Sequence, residues 1–114
     1  MEKQKALEAL AALAQEARLD VFRLLVGSGP GGLSAGDIAE ALNLQSATLS
    51  FHLKELKNAG IVGCRRDGRS RIYTPDFAAM NTLVGFLTEN CCQGAGACAT
   101  RPAGSSTAAK ASAS

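Results

Sequence analysis

The chain has 114 residues, a formal net charge of +2, four cysteines and one histidine, and its length leaves room for one domain. It has no apolar run long enough to cross a bilayer, and Glu8 and Glu16 fall where a signal peptide would have its apolar core. These features argue against an integral membrane protein. We expect a cytoplasmic protein without membrane contact, in which cysteines favour metal binding or redox chemistry over structural disulfides.

The N-terminal third predicts two helices, over residues 4–15 and 17–27. The first has alanines around a stripe at helical spacing that could pack closely against another helix: Leu7, Leu10 and Leu13. The second is expected to turn one apolar side inward: Leu19, Phe22 and Val26. Gly27 is a plausible end for the second helix, and a Gly-Pro-Gly-Gly break follows at residues 29–32.

The next segment predicts two short helices joined by a tight turn, which is the helix-turn-helix pattern. Ser34 is expected to cap the first of these, with Asp37 three residues later. Its expected inner face is small and apolar: Ile38, Ala39, Ala41 and Leu42. Ser46 is expected to cap the second helix, which should end at Gly60. A narrow stripe of the second helix should face the core: Leu49, Leu53 and Leu56.

Residues 61–66 and 69–74 have strand-like composition, and Asp67-Gly68 between them is a strong hairpin signal. Asp76 then caps a last helix, expected to end near Asn90, whose apolar stripe is Phe77, Met80, Leu83, Val84 and Leu87. The predicted fold is mainly α with a β-hairpin wing, a winged helix-turn-helix. Because its single core would be small, we expect a dimer.

Basic residues concentrate in residues 45–74, where six Lys or Arg and two acidic residues give a net charge of +4. This asymmetry favours a polyanion partner over the alternative of a solvated basic face, and together with the helix-turn-helix pattern it predicts that the partner is double-stranded DNA. The expected polar readers at the start of the fourth helix are Gln45, Ser46, Thr48 and Ser50. Further expected DNA contacts come from the outer helix face and the hairpin: Phe51, Lys54, Arg66, Arg69 and Arg71.

Two aromatic side chains of the fourth helix leave alternatives open. Phe51 projects outward, where it could touch thymine methyl groups or pack under the wing. His52 lies at the edge of the leucine stripe and is expected to be a hydrogen-bonded boundary residue rather than a ligand or a base.

The sequence at residues 45–56, followed by Ala-Gly-Ile-Val at 59–62 and Arg-Arg-Asp-Gly-Arg at 65–69, resembles the ArsR/SmtB family of metalloregulatory repressors. The resemblance covers about residues 4–92. It implies a homodimer held by the first and last helices that binds a near-palindromic operator and is released by an inducer.

The chemically distinctive segment comes last, where Cys91, Cys92 and Cys98 lie within eight residues. Trivalent arsenic is thiophilic and takes three thiolates in a pyramidal arrangement, so we predict that these cysteines bind As(III) with loss of their protons. Adjacent cysteines diverge by about 100° on a regular helix, so the helix end would have to fray. Antimony(III) has similar chemistry and should also bind.

Other interpretations of the cysteines remain open. The pair could be incidental or could form a strained vicinal disulfide. The three C-terminal cysteines could hold zinc only if Cys64 supplied a fourth ligand after substantial rearrangement. We interpret Cys64 as a small strand residue. The alternative functions are a redox or sulfur-species-sensing repressor that uses Cys91 and Cys92, and an arsenic-binding chaperone or thiol enzyme. No cysteine has a plausible nearby base, so we predict that the chain is not an enzyme and has no catalytic residues or catalytic cofactor.

The chain lacks two metal sites that are common in the family, and their absence narrows the prediction of the inducer. Many arsenic-responsive members carry Cys-x-Cys on the first helix of the helix-turn-helix, and residues 38–42 here contain no cysteine. Zinc-responsive members carry Asp and His ligands along the last helix, and residues 76–90 contain no histidine. A cysteine pair with a third cysteine just after the last helix is similar to a third arrangement in the family. Relatives with only two such cysteines respond to methylated arsenicals, so methylarsenite is a further candidate.

We therefore divide the chain into three parts. Residues 1–92 form the winged helix-turn-helix DNA-binding and dimerisation domain, and residues 93–98 form a cysteine-bearing inducer loop. Residues 99–114 are almost entirely small or polar and cannot offset the entropy of ordering, about 1–2 kcal/mol per residue, so we expect a disordered tail.

Overall fold

The computed structural model describes residues 1–90; the segment from Cys91 to Ser114 lies outside the described residues. The described part contains five helices and three strands: α1 (Lys3–Leu13), α2 (Glu16–Ser28), β1 (Leu33–Ser34), α3 (Ala35–Leu42), α4 (Ser46–Asn58), β2 (Val62–Asp67), β3 (Ser70–Pro75) and α5 (Phe77–Leu87). No helix within residues 1–90 is long and apolar enough to span a membrane. The predicted fold class, mainly α with a β-hairpin wing, is confirmed.

The helix-turn-helix consists of α3 and α4, and the chain between them turns at Asn43. Ser34 caps α3 as predicted, because its Oγ accepts a hydrogen bond of 3.1 Å from the backbone N–H of Asp37. Asn43 ends α3 in the left-handed conformation with φ of 54°, which Asn tolerates better than most residues. The prediction that Ser46 caps α4 is wrong, since Gln45 occupies the N-cap position without a side-chain hydrogen bond.

The core lies between the helices and the sheet, and α1, α2 and α4 each contribute three of its buried apolar residues. Leu49, Leu53 and Leu56 are all at most 2% exposed, which confirms the predicted leucine stripe. Ile38 of α3 and Leu25 of α2 are fully buried against the same cluster. On α3 the expected inner face is confirmed in part, because Ala39 and Leu42 are half-buried while Ala41 is exposed.

The first two helices turn different faces inward from those the sequence predicts. On α1 the buried residues are Ala6, Ala9 and Ala12, whereas Leu7 and Leu10 are 53% and 39% exposed. The predicted leucine stripe therefore does not pack within the chain, apart from the half-buried Leu13. On α2 only Phe22 of the predicted inner face is buried, and the other inward positions are Val21 and Leu25 instead of Leu19 and Val26.

The sheet is antiparallel with strand order β1-β3-β2, so β3 lies in the middle. The two-residue strand β1 is a new element that the sequence interpretation missed. Its Leu33 and Ser34 pair with Tyr73 and Ile72 of β3. This pairing requires close backbone approach at Gly32, where φ is 76° and an added Cβ would lie 2.5 Å from the carbonyl oxygen of Tyr73.

The wing is the β2–β3 hairpin, and its turn lies one residue later than predicted. Asp67 pairs with Ser70, so the two loop residues are Gly68 and Arg69 rather than Asp67 and Gly68. Gly68 has φ of 65°, and Arg69 has no positive φ, which is the pattern of a type II′ turn. Arg69 consequently stands at the tip of the wing.

The last helix, α5, leaves much of its apolar surface uncovered. Asp76 caps it as predicted, with its carboxylate accepting a 2.9 Å hydrogen bond from the N–H of Ala79. The helix ends at Leu87, three residues before the predicted end. Only Leu83 of the expected apolar stripe is buried; Phe77, Val84 and Leu87 are about half exposed. Both α1 and α5, which pack against each other, therefore have exposed apolar side chains.

Candidate nucleic-acid interface

The candidate interface is formed by the outer face of α4 and by the wing. Burial of its leucine stripe fixes the rotation of α4 about its axis, so the intervening polar residues must point away from the core. All nine predicted DNA contacts are exposed: Gln45, Ser46, Thr48, Ser50, Phe51, Lys54, Arg66, Arg69 and Arg71. The fold brings them to two adjacent elements, with the first six on α4 and its N-cap and the three arginines on the hairpin.

The N-terminus of α4 is open to solvent. Gln45 makes no capping hydrogen bond, so the first-turn N–H groups have no side-chain partner there. Helix N-termini carry partial positive charge and accept phosphate oxygens or base edges readily. This end of α4 can therefore enter a DNA groove without first breaking an internal contact.

Phe51 and His52 are both held by Arg18 of α2. Phe51 is 54% exposed, so it does not pack under the wing, and the Arg18 guanidinium carbon lies 5.7 Å from its ring centroid. This separation allows a cation–π contact. His52 is buried, and its Nδ1 accepts a 3.3 Å hydrogen bond from Nε of Arg18. The prediction that His52 is a hydrogen-bonded boundary residue is confirmed.

The contact between Arg18 and His52 fixes the charge state of the imidazole. Burial first, and the charge of Arg18 second, lower the pKa of His52 below its usual value of 6.5. At neutral pH His52 is therefore uncharged, with Nδ1 free to accept the Arg18 hydrogen bond. Sequence reasoning missed the role of Arg18, because the two residues are 34 positions apart.

On the wing, Arg66 and Arg71 are directly opposite each other in the antiparallel ladder, which places both side chains on one face of the sheet. Like charges in such a pair are destabilising unless an anion lies nearby. Arg65, on the opposite face, donates a 3.1 Å hydrogen bond from Nη2 to the carbonyl oxygen of Gly31. The wing thus has one arginine tied to the backbone of a neighbouring loop, whereas Arg66, Arg69 and Arg71 are exposed on the hairpin.

A groove of about 400 Å³ lies between α4 and the wing. Its lining comes from one side of α4 and from β3: Ser50, Leu53, Lys54, Lys57, Asn58, Arg71 and Tyr73. Sequence reasoning assigned no role to Lys57 or Tyr73. The signal for Lys57 was its spacing, since it lies three residues after Lys54 and seven after Ser50 on the same helical side.

Tyr73 reaches this groove from the middle strand of the sheet. Burial, followed by the neighbouring Cys64 thiol across the ladder, raises the pKa of Tyr73 above its usual value of 10. The phenol therefore stays protonated at neutral pH and can donate a hydrogen bond. Cys64 itself is a half-buried residue of β2, in agreement with its interpretation as a small strand residue.

The predicted arsenic ligands Cys91, Cys92 and Cys98 lie outside the described residues. Within residues 1–90, no group of three or more His, Cys, Asp or Glu side chains is arranged to hold a metal ion. The metal-site prediction therefore depends on the sequence.

Comparisons with known proteins give a consistent class. The family model described as a helix-turn-helix domain matches residues 13–65, which include α2, α3, α4 and part of β2. The transcriptional activator HlyU of Vibrio cholerae is 32% identical over 95 residues, which cover 82% of this chain and 85% of that protein. The structure of HlyU superposes with a TM-score of 0.63 and is covered completely.

Two further solved structures share the fold. The homodimeric winged helix-turn-helix domain of Mb0332 from Mycobacterium bovis, described as a possible ArsR-family regulator, has a TM-score of 0.61 and 29% identity over 76% of this chain and 81% of that one. A possible transcriptional regulator for arsenical resistance also has a TM-score of 0.61, with 28% identity over 70% of this chain and 80% of that one.

The fold and its exposed basic face define a DNA-binding winged helix-turn-helix protein, and its relatives are transcriptional regulators. The chain belongs to the ArsR/SmtB-like family of helix-turn-helix transcriptional regulators.

Proposed function

We propose that the chain is a cytoplasmic transcriptional repressor that binds operator DNA as a homodimer and dissociates when trivalent arsenic binds Cys91, Cys92 and Cys98. The observation that carries the DNA-binding part is the exposure of the whole outer face of α4 beside an arginine-rich wing. In this proposal the N-terminal half of α4 lies in the major groove, where Thr48 and Ser50 reach base edges. Phe51 contacts thymine methyl groups.

The homodimer is supported by apolar surface that this chain leaves uncovered. Leu7 and Leu10 of α1 and Val84 and Leu87 of α5 are between 39% and 56% exposed, although α1 and α5 pack against each other. A two-fold partner would cover these side chains, and the similar Mb0332 domain is homodimeric. Such a dimer would present its two α4 helices to half-sites about 34–36 Å apart, one turn of DNA.

Trivalent arsenic is proposed as the inducer because of the three cysteine thiols that could bind it. Three thiols within eight residues suit a soft trivalent ion, and Cys91 follows the last residue of α5 by four positions. Because α5 belongs to the proposed dimer interface, arsenic bound at this point would alter the separation of the two α4 helices. A coupling of about 1–3 kcal/mol, typical of allosteric proteins, would weaken operator binding about 5- to 150-fold.

The similarity to a possible regulator for arsenical resistance supports this choice, whereas the name of HlyU describes an activator and mentions no metal. The division of the chain into residues 1–92, 93–98 and 99–114 is part of the same proposal. The loop of residues 93–98, with its two glycines, would allow Cys98 to approach the cysteine pair.

The test is fluorescence anisotropy of the full chain on its own upstream promoter DNA at fixed salt, titrated with arsenite, antimonite or methylarsenite. We expect arsenite to release the wild type, and Cys91→Ser to bind DNA normally without release. The second variant is Cys98→Ser. If methylarsenite still releases this variant from DNA and arsenite does not, methylarsenite binds at a two-thiol site.

Other outcomes identify the rival functions. Insensitivity to arsenite with release by peroxide would favour a redox sensor that uses Cys91 and Cys92. Tight arsenic binding without retardation of any promoter fragment would favour a chaperone or thiol enzyme. A promoter–reporter assay decides the direction of regulation, because repression requires expression to rise when the gene for this chain is deleted.

A further inference from the structure

Arg18 of α2 contacts two neighbouring side chains of α4 at once. Its Nε donates the 3.3 Å hydrogen bond to Nδ1 of His52, and its guanidinium carbon lies over the Phe51 ring, 5.7 Å from the centroid. Adjacent side chains of a helix point about 100° apart, so Phe51 and His52 cannot hold each other face to face. Their ring centroids are 5.8 Å apart, with the ring planes tilted by 59°. Arg18, from another helix, therefore bridges the two rings.

Both ends of Arg18 are fixed within the chain. Its backbone N–H donates a 2.9 Å hydrogen bond to Oε1 of Gln15, the N-cap residue of α2. Its side chain ends on His52, which is 7% exposed and belongs to the buried face of α4. The entropy lost in ordering this long side chain is therefore part of folding and not of binding a partner. Arg18 is an ordered cation beside the outer face of α4.

Phe51 is the member of this cluster that faces a partner. The ring is 54% exposed on the outer face of α4, so it remains accessible although Arg18 lies over it. A cation–π contact at an exposed site favours the contacting conformer about 2- to 5-fold. Because a partner's apparent affinity rises with the fraction of protein already in the binding conformation, this bias acts before any partner arrives.

We propose that Arg18 is a positioning residue for DNA recognition: anchored on His52, it holds the Phe51 ring in the orientation that contacts the C5-methyl group of thymine. This methyl group is the apolar feature by which thymine differs from the other bases in the major groove. Arg18 acts through Phe51 and contacts no base itself. The inference rests on the proposed DNA binding through α4 and is independent of the proposed inducer.

The first test compares binding to promoter duplex that contains thymine with binding to the same duplex made with deoxyuridine, which lacks only the methyl group. Burying one methyl group changes an affinity about 4-fold, so the thymine-to-uracil affinity ratio of the wild type should be about 15 for a dimer. In Arg18→Gln the bias is lost, and this ratio should fall to about 1–4. Loss of charge or of folded protein weakens binding to both duplexes equally and cancels in the ratio.

The matched control is Arg23→Gln, which removes an exposed cation of the same helix that takes no part in the contacts with His52 and Phe51. It should keep the wild-type ratio. Phe51→Ala should lower the ratio at least as far as Arg18→Gln does, and adding Arg18→Gln to it should change the ratio no further. An unchanged ratio in Arg18→Gln, or a ratio that still depends on Arg18 when Phe51 is absent, overturns the inference.

A second measurement needs no DNA and separates this inference from the proposed function. Three-bond coupling constants about χ1 of Phe51 report whether the side chain occupies one rotamer or averages over several. We expect one dominant rotamer in the wild type and in Arg23→Gln, and averaging in Arg18→Gln. That result without retardation of any promoter fragment would support the Arg18 contact and contradict DNA binding. Averaging in the wild type, or a fixed rotamer in Arg18→Gln, overturns the positioning role whether or not the chain binds DNA.

Discussion

Replacing Leu87 by alanine should weaken the proposed dimer measurably. Leu87 is 56% exposed in the single chain, and fully burying a leucine side chain contributes about 1.5–3 kcal/mol. Covering the exposed half would therefore contribute about 0.8–1.7 kcal/mol in each protomer. Two-fold symmetry makes the substitution act twice, so the dimer should lose about 1.7–3.4 kcal/mol.

In terms of dissociation constants, this loss corresponds to a dimer that is about 15- to 250-fold weaker. Sedimentation equilibrium of the full chain over a range of protein concentrations measures it directly. Val26→Ala is the matched control, because Val26 is an aliphatic residue that is 42% exposed and belongs to α2, not to α1 or α5. If Leu87→Ala and Val26→Ala dissociate at the same concentration as wild type, then α5 does not form the interface and the reasoning fails.

Two further predictions concern stability. Gly32→Ala should cost at least about 1–3 kcal/mol in chemical denaturation, because the new Cβ would lie 2.5 Å from a carbonyl oxygen at a φ of 76°. Gly31→Ala, with open space around its Cβ, should cost much less, and equal losses would contradict the close approach of β1 to β3. The pKa of His52 is lowered in the fold, so the unfolded chain binds more protons below about pH 6.5 and stability should fall as pH falls through that range. His52→Gln should lack this part of the decline between pH 7.5 and 5.5, and a wild-type profile that matches the variant would disprove the shift.

Residue spacing and helix-capping residues predicted those parts of the fold that depend only on residues close together in the chain. The leucine spacing of α4 fixed its buried face, and Ser34 and Asp76 marked the starts of two helices through their own backbone hydrogen bonds. The hairpin was expected from its Gly turn between strand-like runs. The two loop residues lie one position later than predicted, because the pairing of Asp67 with Ser70 depends on the whole β2–β3 ladder.

The remaining differences have non-local causes. The strand β1 has only two residues and exists because β3 offers it a free edge, which no pattern at residues 33–34 reveals. On α1, alanine and leucine are both apolar, so periodicity cannot decide which set faces the chain and which is left for a partner.

The candidate DNA interface likewise has one part that the sequence predicts and another that depends on contacts between distant residues. Exposure of the readers on α4 follows from helical geometry, and all nine predicted residues are exposed. The contributions of Arg18 and Tyr73 depend on contacts between elements far apart in the chain, so the sequence did not predict them.

The alanine face of α1 has a mechanical consequence. Alanine at its buried positions, Ala6, Ala9 and Ala12, lets the helix lie close to its neighbours, and α1 contacts both α5 and α4. The α1 side of this contact contributes no long side chain that could change rotamer and absorb a displacement, and closely packed interiors transmit strain. A displacement of α1 would therefore be passed on to α4, the helix on which most of the predicted DNA contacts lie.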